Sequence, residues 1–310
     1  MPTHIQRIGV VGSGAVGLYF GTKLALAGTE VRFLMRGDLA AVRARGSVRI
    51  IEEGRLSEFR PAGAFASPAE MGPVDLVVVA LKTTSGGETR GLVGPLLGPE
   101  TAVLTLQNGL GADEFLAGLF GAGRVIGGLA FMAITRTGPG EVTCFHPGKV
   151  TIGEYQGGSG PRTQALAKLI GAAGIKARIV DNLLEARWIK LVWNIPFNGL
   201  SIAEGGVSTD HICADPRLAA EVRALMLEVQ RAAQGFGFRI PDEYLRRQFD
   251  VTPSMGAYQP SSLIDFLAGR EVEVEAIWGE PLRRARAIGI EMPRLESLYQ
   301  RLLERCQRRA

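Results

Sequence analysis

Near its start the chain runs Ile8-Gly9-Val10-Val11-Gly12-Ser13-Gly14-Ala15-Val16-Gly17, a short apolar strand that passes directly into Gly-x-Gly-x-x-Gly. No other stretch restricts the fold so strongly. A glycine at 12 permits a tight turn out of the strand. A glycine at 14 lets a pyrophosphate approach the backbone, and a glycine at 17 lets the following helix pack closely on the strand. The context matches the motif: an amphipathic helix follows (Val16, Phe20, Leu24, Ala27), stops at Gly28, and leads to a second strand, Glu30 to Leu34. The β-α-β unit so formed predicts a dinucleotide held by Gly12, Ser13, Gly14, Ala15, Val16 and Gly17. The unpaired N–H groups of the first helical turn and the positive end of the helix dipole would face its phosphates.

The next informative position is Arg36. An NAD-specific fold usually ends its second strand with Asp or Glu, which binds the ribose hydroxyls. Arg36 stands there instead, and a guanidinium can clasp a 2′-phosphate and stack on adenine. The expected cofactor is therefore NADP(H), with Asp38 leaving NAD open.

A chain of 310 residues, 46% hydrophobic and 21% charged, has material for two packed cores. The net charge of +4 is spread out except at the end (Arg301, Arg305, Arg308, Arg309), which reads as a solvated helix face rather than a nucleic-acid surface. Cys144, Cys213 and Cys306 have no C-x-x-C spacing, and His4, His146 and His211 lack metal-ligand spacing. Neither a disulfide framework nor a metal centre is expected. Met1 to Arg7 has no signal-peptide core and no apolar run reaches the ~20 residues of a membrane span, so a cytoplasmic protein is expected.

Up to about residue 181 strands and helices alternate. Asp75 to Leu81, Ala102 to Leu106 and Val125 to Ala133 are apolar runs of the kind found in strands buried on both faces. Glu141 to Cys144 and Lys149 to Ile152, separated by Pro147-Gly148, predict a hairpin. Gln164 to Ala173 reads as helix and Ala177 to Val180 as a last strand. Beyond residue 181 the apolar period is helical: Leu184, Trp188, Leu191, Val192; then Leu218, Val222, Leu225, Met226, Val229; then Ala276, Ile277, Leu282, Ala285; then Leu295, Leu298, Leu302, Leu303. The expected class is α/β. A Rossmann-like, doubly wound, mostly parallel sheet occupies 1–181, and an all-helical substrate and dimerisation domain occupies 182–310. Substrate is expected in the cleft between them.

The stretch from Glu185 to Asn198 is the densest in chemistry. Lys190, Asn194 and Asn198 are spaced by four and share one helix face, opposite Trp188, Leu191, Val192 and Ile195. Pattern alone leaves two readings open: a polar wall with Lys190 as cation and proton donor, or the wet face of an amphipathic helix. Pro196 removes a backbone hydrogen bond and is expected to bend the helix.

Together, the glycine motif, Arg36, Leu81-Lys82, Leu106-Gln107-Asn108-Gly109, the Lys190/Asn194/Asn198 helix, Pro260 to Asp265 and Gly269 to Gly279 resemble the ketopantoate reductase family along nearly the whole chain. The resemblance implies roles residue by residue. Lys190 matches the lysine that protonates the ketone oxygen. Asn108 orders nicotinamide and substrate, and Lys82 sits near the adenine end and phosphate. Asn194 and Asn198 are substrate amides, and Ser261 bonds the substrate carboxylate. Among Glu271, Glu273 and Glu275, the Glu-x-x-x-Ile-x-Gly spacing selects Glu273, matching the glutamate that bonds the substrate hydroxyl.

Departures occur at Asn198-Gly199, where the family usually has Asn-Pro, at Pro196, at Ser208 and at Thr83-Thr84-Ser85. The implied activity is NADPH-dependent reduction of 2-dehydropantoate to (R)-pantoate. The alternatives are reduction of another branched or aromatic 2-keto acid, or a non-catalytic NADP(H) sensor. The implied partners are a small 2-keto acid and, through the helical domain, a second copy of the chain.

Overall fold

The structure, a computed structural model, describes residues 5–308; His4 and Arg309, named above, and most of the lead-in before Arg7 lie outside the described residues. The chain divides into two compact units, 1–107 with 112–183, and 108–111 with 184–310.

The first unit is built on one ten-stranded sheet. Its strands are β1 (Arg7–Val11), β2 (Glu30–Leu34), β3 (Val48–Glu52), β4 (Arg55–Phe59), β5 (Gly63–Phe65), β6 (Val74–Val79), β7 (Leu97–Thr105), β8 (Val125–Gly138), β9 (Glu141–Glu154) and β10 (Lys176–Ile179). The order β5-β2-β1-β6-β7-β8 is parallel throughout. Successive side chains of a strand point to opposite faces, and both faces here are apolar. Ile8, Val10, Leu76, Val78 and Leu104 enter one core, while Val11, Val77, Val79 and Val103 enter another. This explains the unbroken hydrophobic runs: each strand has helices on both sides.

The hairpin expected around Pro147-Gly148 does not form. Glu141–Glu154 is one strand, β9, paired antiparallel with β8, and the reversal lies before it at Pro139-Gly140. Pro147 and Gly148 form a bulge: the register steps between Phe131 and Ala133, and Gly148 has φ +54°. A Cβ at 148 would lie 1.8 Å from the Phe131 carbonyl oxygen. Pro-Gly marks bulges as well as turns, because one residue lacks the ladder donor and the other accepts the kink. The sequence reading missed the β3–β4 hairpin. Its two-residue turn, Glu53-Gly54, has both φ values positive (50° and 74°), as a type I′ turn requires.

Among its described residues the second unit has helices and loops and no strand, with long helices at Leu183–Ala203, Pro216–Gly235 and Pro293–Gln307. Its single core gathers Trp188, Leu191, Val192 and Ile195 with Val222, Leu225, Trp278, Leu295 and Leu298. Each such side chain contributes ~1.5–3 kcal/mol on burial. Asn108–Gly111 counts with this unit although it follows β7 in sequence. Among the described residues no helix is long and apolar enough to cross a membrane, and no group of three or more His, Cys, Asp or Glu could hold a metal ion.

Candidate active site

In the first unit the cofactor candidates leave the carboxyl ends of three adjacent parallel strands. Gly12–Gly17 follows β1, Arg36 lies just beyond β2 and Lys82 just beyond β6. The three glycines have different physical reasons. Gly12 has φ +106°, and a Cβ there would lie 2.6 Å from the Ala80 carbonyl carbon. At Gly17 a Cβ would lie 1.9 Å from the Gly12 carbonyl oxygen. A Cβ at Gly14 would meet no protein atom within 4 Å, so nothing inside the chain demands a glycine there. Gly14 is the N-cap of helix Ala15–Leu26, which has no side-chain cap and no acidic residue in its first turn. Ser13, Ala15 and Val16 are half-buried around it. An open helix N-terminus with a bare approach suits a pyrophosphate.

Arg36 is exposed, and its Nη2 donates to Glu88 Oε2 at 2.8 Å. Asp38 is 3% exposed; its carboxylate accepts from Arg136 Nη2 and, at 2.9 Å, from the Gly140 N–H. It ties the segment after β2 to the β8–β9 reversal. Lys82 is half-buried and caps the short 3₁₀ turn Thr83–Ser85.

In the second unit helix Leu183–Ala203 carries Lys190, Asn194 and Asn198, and three separate segments complete the arrangement. Lys190 is half-buried, and its Nζ donates to Asn108 Oδ1 at 2.8 Å. Asn108 is held by its loop: the Leu110 N–H donates to the Ala276 carbonyl (2.9 Å), and Arg187 Nη1 donates to the Gly109 carbonyl (3.3 Å). Gly109 has φ +79°, and a Cβ there would lie 2.1 Å from the Ala276 carbonyl oxygen. Burial pushes the Lys190 ammonium down from 10.5 to about 7. The nearby Arg187 guanidinium acts in the same direction, and the Glu273 carboxylate opposes both.

Of the three alternating glutamates only Glu273 is buried, at 7% exposed. Glu271 is exposed, and Glu275 is bound to Arg283 (2.7 Å) and Tyr299. They do not share a regular helix: Glu271 and Glu273 precede it, and Glu275–Gly279 forms a π turn. Such turns are frequent at functional sites. Asn194 is half-buried and Ser261 exposed; neither side chain has a hydrogen bond to the described residues.

Asn198 is placed differently from its neighbours on the helix face. It is 2% exposed, and its Oδ1 accepts from the Ser262 N–H at 3.0 Å. Helix Ser261–Leu267 begins after Pro260, which offers no side-chain cap, and Asn198 supplies that cap from a distant helix. Gly199 faces the core: a Cβ there would lie 2.7 Å from Leu298 Cδ2 and 2.8 Å from Trp278 Nε1, which donates to the Ile195 carbonyl (2.9 Å). Any side chain at 199 would collide with Trp278. The helix continues through Pro196. Ser208 is the N-cap of helix Thr209–Ala214 and donates to Asp210. The sequence reading assigned no role to Arg187 or Ala276. The only sign of Arg187 was a second cation three residues before Lys190, and Ala276 acts through its carbonyl, which no side-chain pattern reports.

Comparison with known proteins shows the family. Residues 8–157 match the family model described as ketopantoate reductase PanE/ApbA, and residues 182–305 match its C-terminal counterpart. A 2-dehydropantoate 2-reductase from Nostoc sp. is 36% identical over 304 residues, 96% of this chain and 94% of the relative. The crystal structure of 2-dehydropantoate 2-reductase from Geobacter metallireducens is 40% identical with a TM-score of 0.93, covering 96% of this chain and 99% of the other. The corresponding Methylococcus capsulatus structure is 35% identical with a TM-score of 0.88, covering 98% of each chain. The chain belongs to the ketopantoate reductase family.

Proposed function

We propose that the protein reduces 2-dehydropantoate to (R)-pantoate with NADPH, a step of pantothenate biosynthesis, and that Lys190 is the proton donor. The observation that carries this reading is the Lys190 environment: an ammonium gripped by Asn108, with its proton affinity lowered to about 7. A general acid works best when its pKa lies near the working pH.

The first unit would hold the cofactor through Gly12–Gly17 at its pyrophosphate, with Lys82 toward the adenine end. Arg36 supports NADPH over NADH. Its surface pair with Glu88 is of a kind worth ~0–1 kcal/mol and gives way readily to a 2′-phosphate, whereas Asp38 is occupied inside the chain. Bound NADPH supplies the hydride. As negative charge grows on the ketone oxygen, Lys190 stabilises it and releases its proton to it. Asn108 keeps Lys190 Nζ in one direction throughout. In the same reading Glu273 accepts from the substrate hydroxyl, and Asn194 and Ser261 donate to the substrate carboxylate. Asn198 holds the backbone that presents Ser261.

The test is NADPH oxidation, followed by absorbance, with ketopantoate, 2-ketoisovalerate, phenylglyoxylate and no substrate, repeated with NADH. Ketopantoate is expected to be turned over fastest, and with NADPH. Turnover only with another keto acid would move the substrate assignment. NADPH binding without any turnover would favour a sensor.

A further inference from the structure

Arg187 has no part in the reaction just described, yet it is only 3% exposed. Burying a guanidinium is costly, and the cost is offset only where its donors and charge are used. Helix Leu183–Ala203 sets Arg187 three residues before Lys190, so the two are neighbours along one face. Its Nη1 reaches the Gly109 carbonyl at 3.3 Å. Gly109 follows Asn108, whose Oδ1 receives Lys190 Nζ at 2.8 Å. The same short loop is fastened a second time where the Leu110 N–H meets the Ala276 carbonyl at 2.9 Å. At Gly109 there is no spare room against that carbonyl. Two groups thus fasten the loop, and one of them carries a full positive charge.

We propose that Arg187 is a positioning residue of the Lys190 site, acting in two ways. It fastens the 108–111 loop so that Asn108 Oδ1 stays within reach of Lys190, and it fixes a positive charge beside the ammonium that favours release of the proton. The inference rests on Lys190 being the proton donor. Charged groups bearing on Lys190 include Arg187 from its own helix and Glu273 from the segment ahead of the π turn, and they act in opposite senses. Asn108 contributes a neutral acceptor. Arg187 therefore offsets the carboxylate that would otherwise hold the proton on the lysine.

The experiment compares Arg187→Met and Arg187→Lys in the full chain without cofactor. The Lys190 titration is read by NMR on ¹³C-labelled lysine side chains, with the resonance assigned by its loss in Lys190→Met. Arg187→Met is expected to raise the Lys190 midpoint by about one pH unit and to lower kcat more than it raises KM. Arg187→Lys, which keeps the charge, is expected to restore the wild-type midpoint while recovering only part of kcat, since an ammonium lacks the reach and fork of a guanidinium. A folded Arg187→Met protein with the wild-type midpoint would overturn the proposal, as would an Arg187→Lys midpoint raised as far as that of Arg187→Met. If Arg187→Met does not fold, Arg187→Lys decides: a wild-type midpoint supports the proposal and a raised one overturns it. The titration needs neither cofactor nor turnover. A wild-type protein that fails to reduce any keto acid would therefore remove the proposed reaction separately.

Discussion

The glycine turn after β1 and the surroundings of Lys190 are built on opposite principles. The turn is made by neighbours in sequence and one adjacent strand. Gly17 packs on Gly12, and the Gly12 turn lies against Ala80, reached through a strand pairing (Val11 with Val79) that follows from two apolar runs. The Lys190 environment is assembled from positions far apart: Asn108 lies 82 residues from Lys190, and Asn198 caps a helix 64 residues away. A backbone-made site depends on the absence of side chains and tolerates most changes elsewhere. A site gathered from one helix and several distant segments depends on each of them being in place, and in return it can alter the chemistry of one residue, as it does for Lys190.

The largest expected effect breaks the gathered site at its centre. Lys190→Met should lower the reduction rate by about 10²–10⁴-fold while NADPH binding, followed by fluorescence quenching, stays near wild type. The same residue sets the pH profile. The donor must be protonated, so reduction should be level well below pH 7 and fall above it, approaching tenfold per pH unit. Oxidation of the product, which needs the neutral amine, should rise over the same range. A reduction rate that climbs with pH would contradict Lys190 as the acid.

Two glycines then test both regions by the same substitution. Gly17→Ala meets a carbonyl oxygen five residues away in sequence, and Gly109→Ala meets one on a distant segment, at 1.9 and 2.1 Å respectively. Each should cost about 2–4 kcal/mol by thermal or urea unfolding, since backbone must move to admit a Cβ. Gly109→Ala should in addition lower the Lys190 midpoint, because displacing Asn108 removes an acceptor that stabilises the ammonium; Gly17→Ala should not. Smaller is Arg36→Ala, expected to weaken NADPH about tenfold or more and NADH hardly at all, the worth of a hydrogen bond to a charged group. Equal losses would remove the 2′-phosphate role. The smallest change sharpens the contrast most. Gly14→Ala should leave the melting temperature unchanged, because its Cβ meets nothing in the protein. It should weaken cofactor binding about fivefold or more through close approach to the pyrophosphate.

Legibility in the sequence followed the same division. The parallel strands were readable because burial on both faces leaves only apolar residues at Leu76–Val79 and Val125–Leu129. The helical half was readable from its period. The β3–β4 hairpin was missed because β4 is largely exposed and lacks a hydrophobic stripe, although Glu53-Gly54 offered a turn signal. Pro147-Gly148 was misread because the same dipeptide serves turns and bulges. At the site the spacing of Lys190, Asn194 and Asn198 was visible. Asn198's work as a remote cap was not, because it depends on where Ser262 arrives. Gly199 was visible only as a departure from the family's Asn-Pro; that Leu298 and Trp278 fill the space against it depends on the fold.

By itself the sequence determined the α/β and helical halves and the glycine-rich turn between β1 and the helix that follows it. These follow from local sterics and hydrophobic period, which act between near neighbours. Only the tertiary structure decided that Asn108–Gly111 joins the helical unit, that Asp38 is spent on Arg136 and Gly140, and that Glu273 is the buried glutamate of its cluster. It also decided that burial and Arg187 push the Lys190 ammonium down to about 7. Desolvation and charge proximity act through space, and no spacing along the chain encodes the distance between two groups that folding brings together.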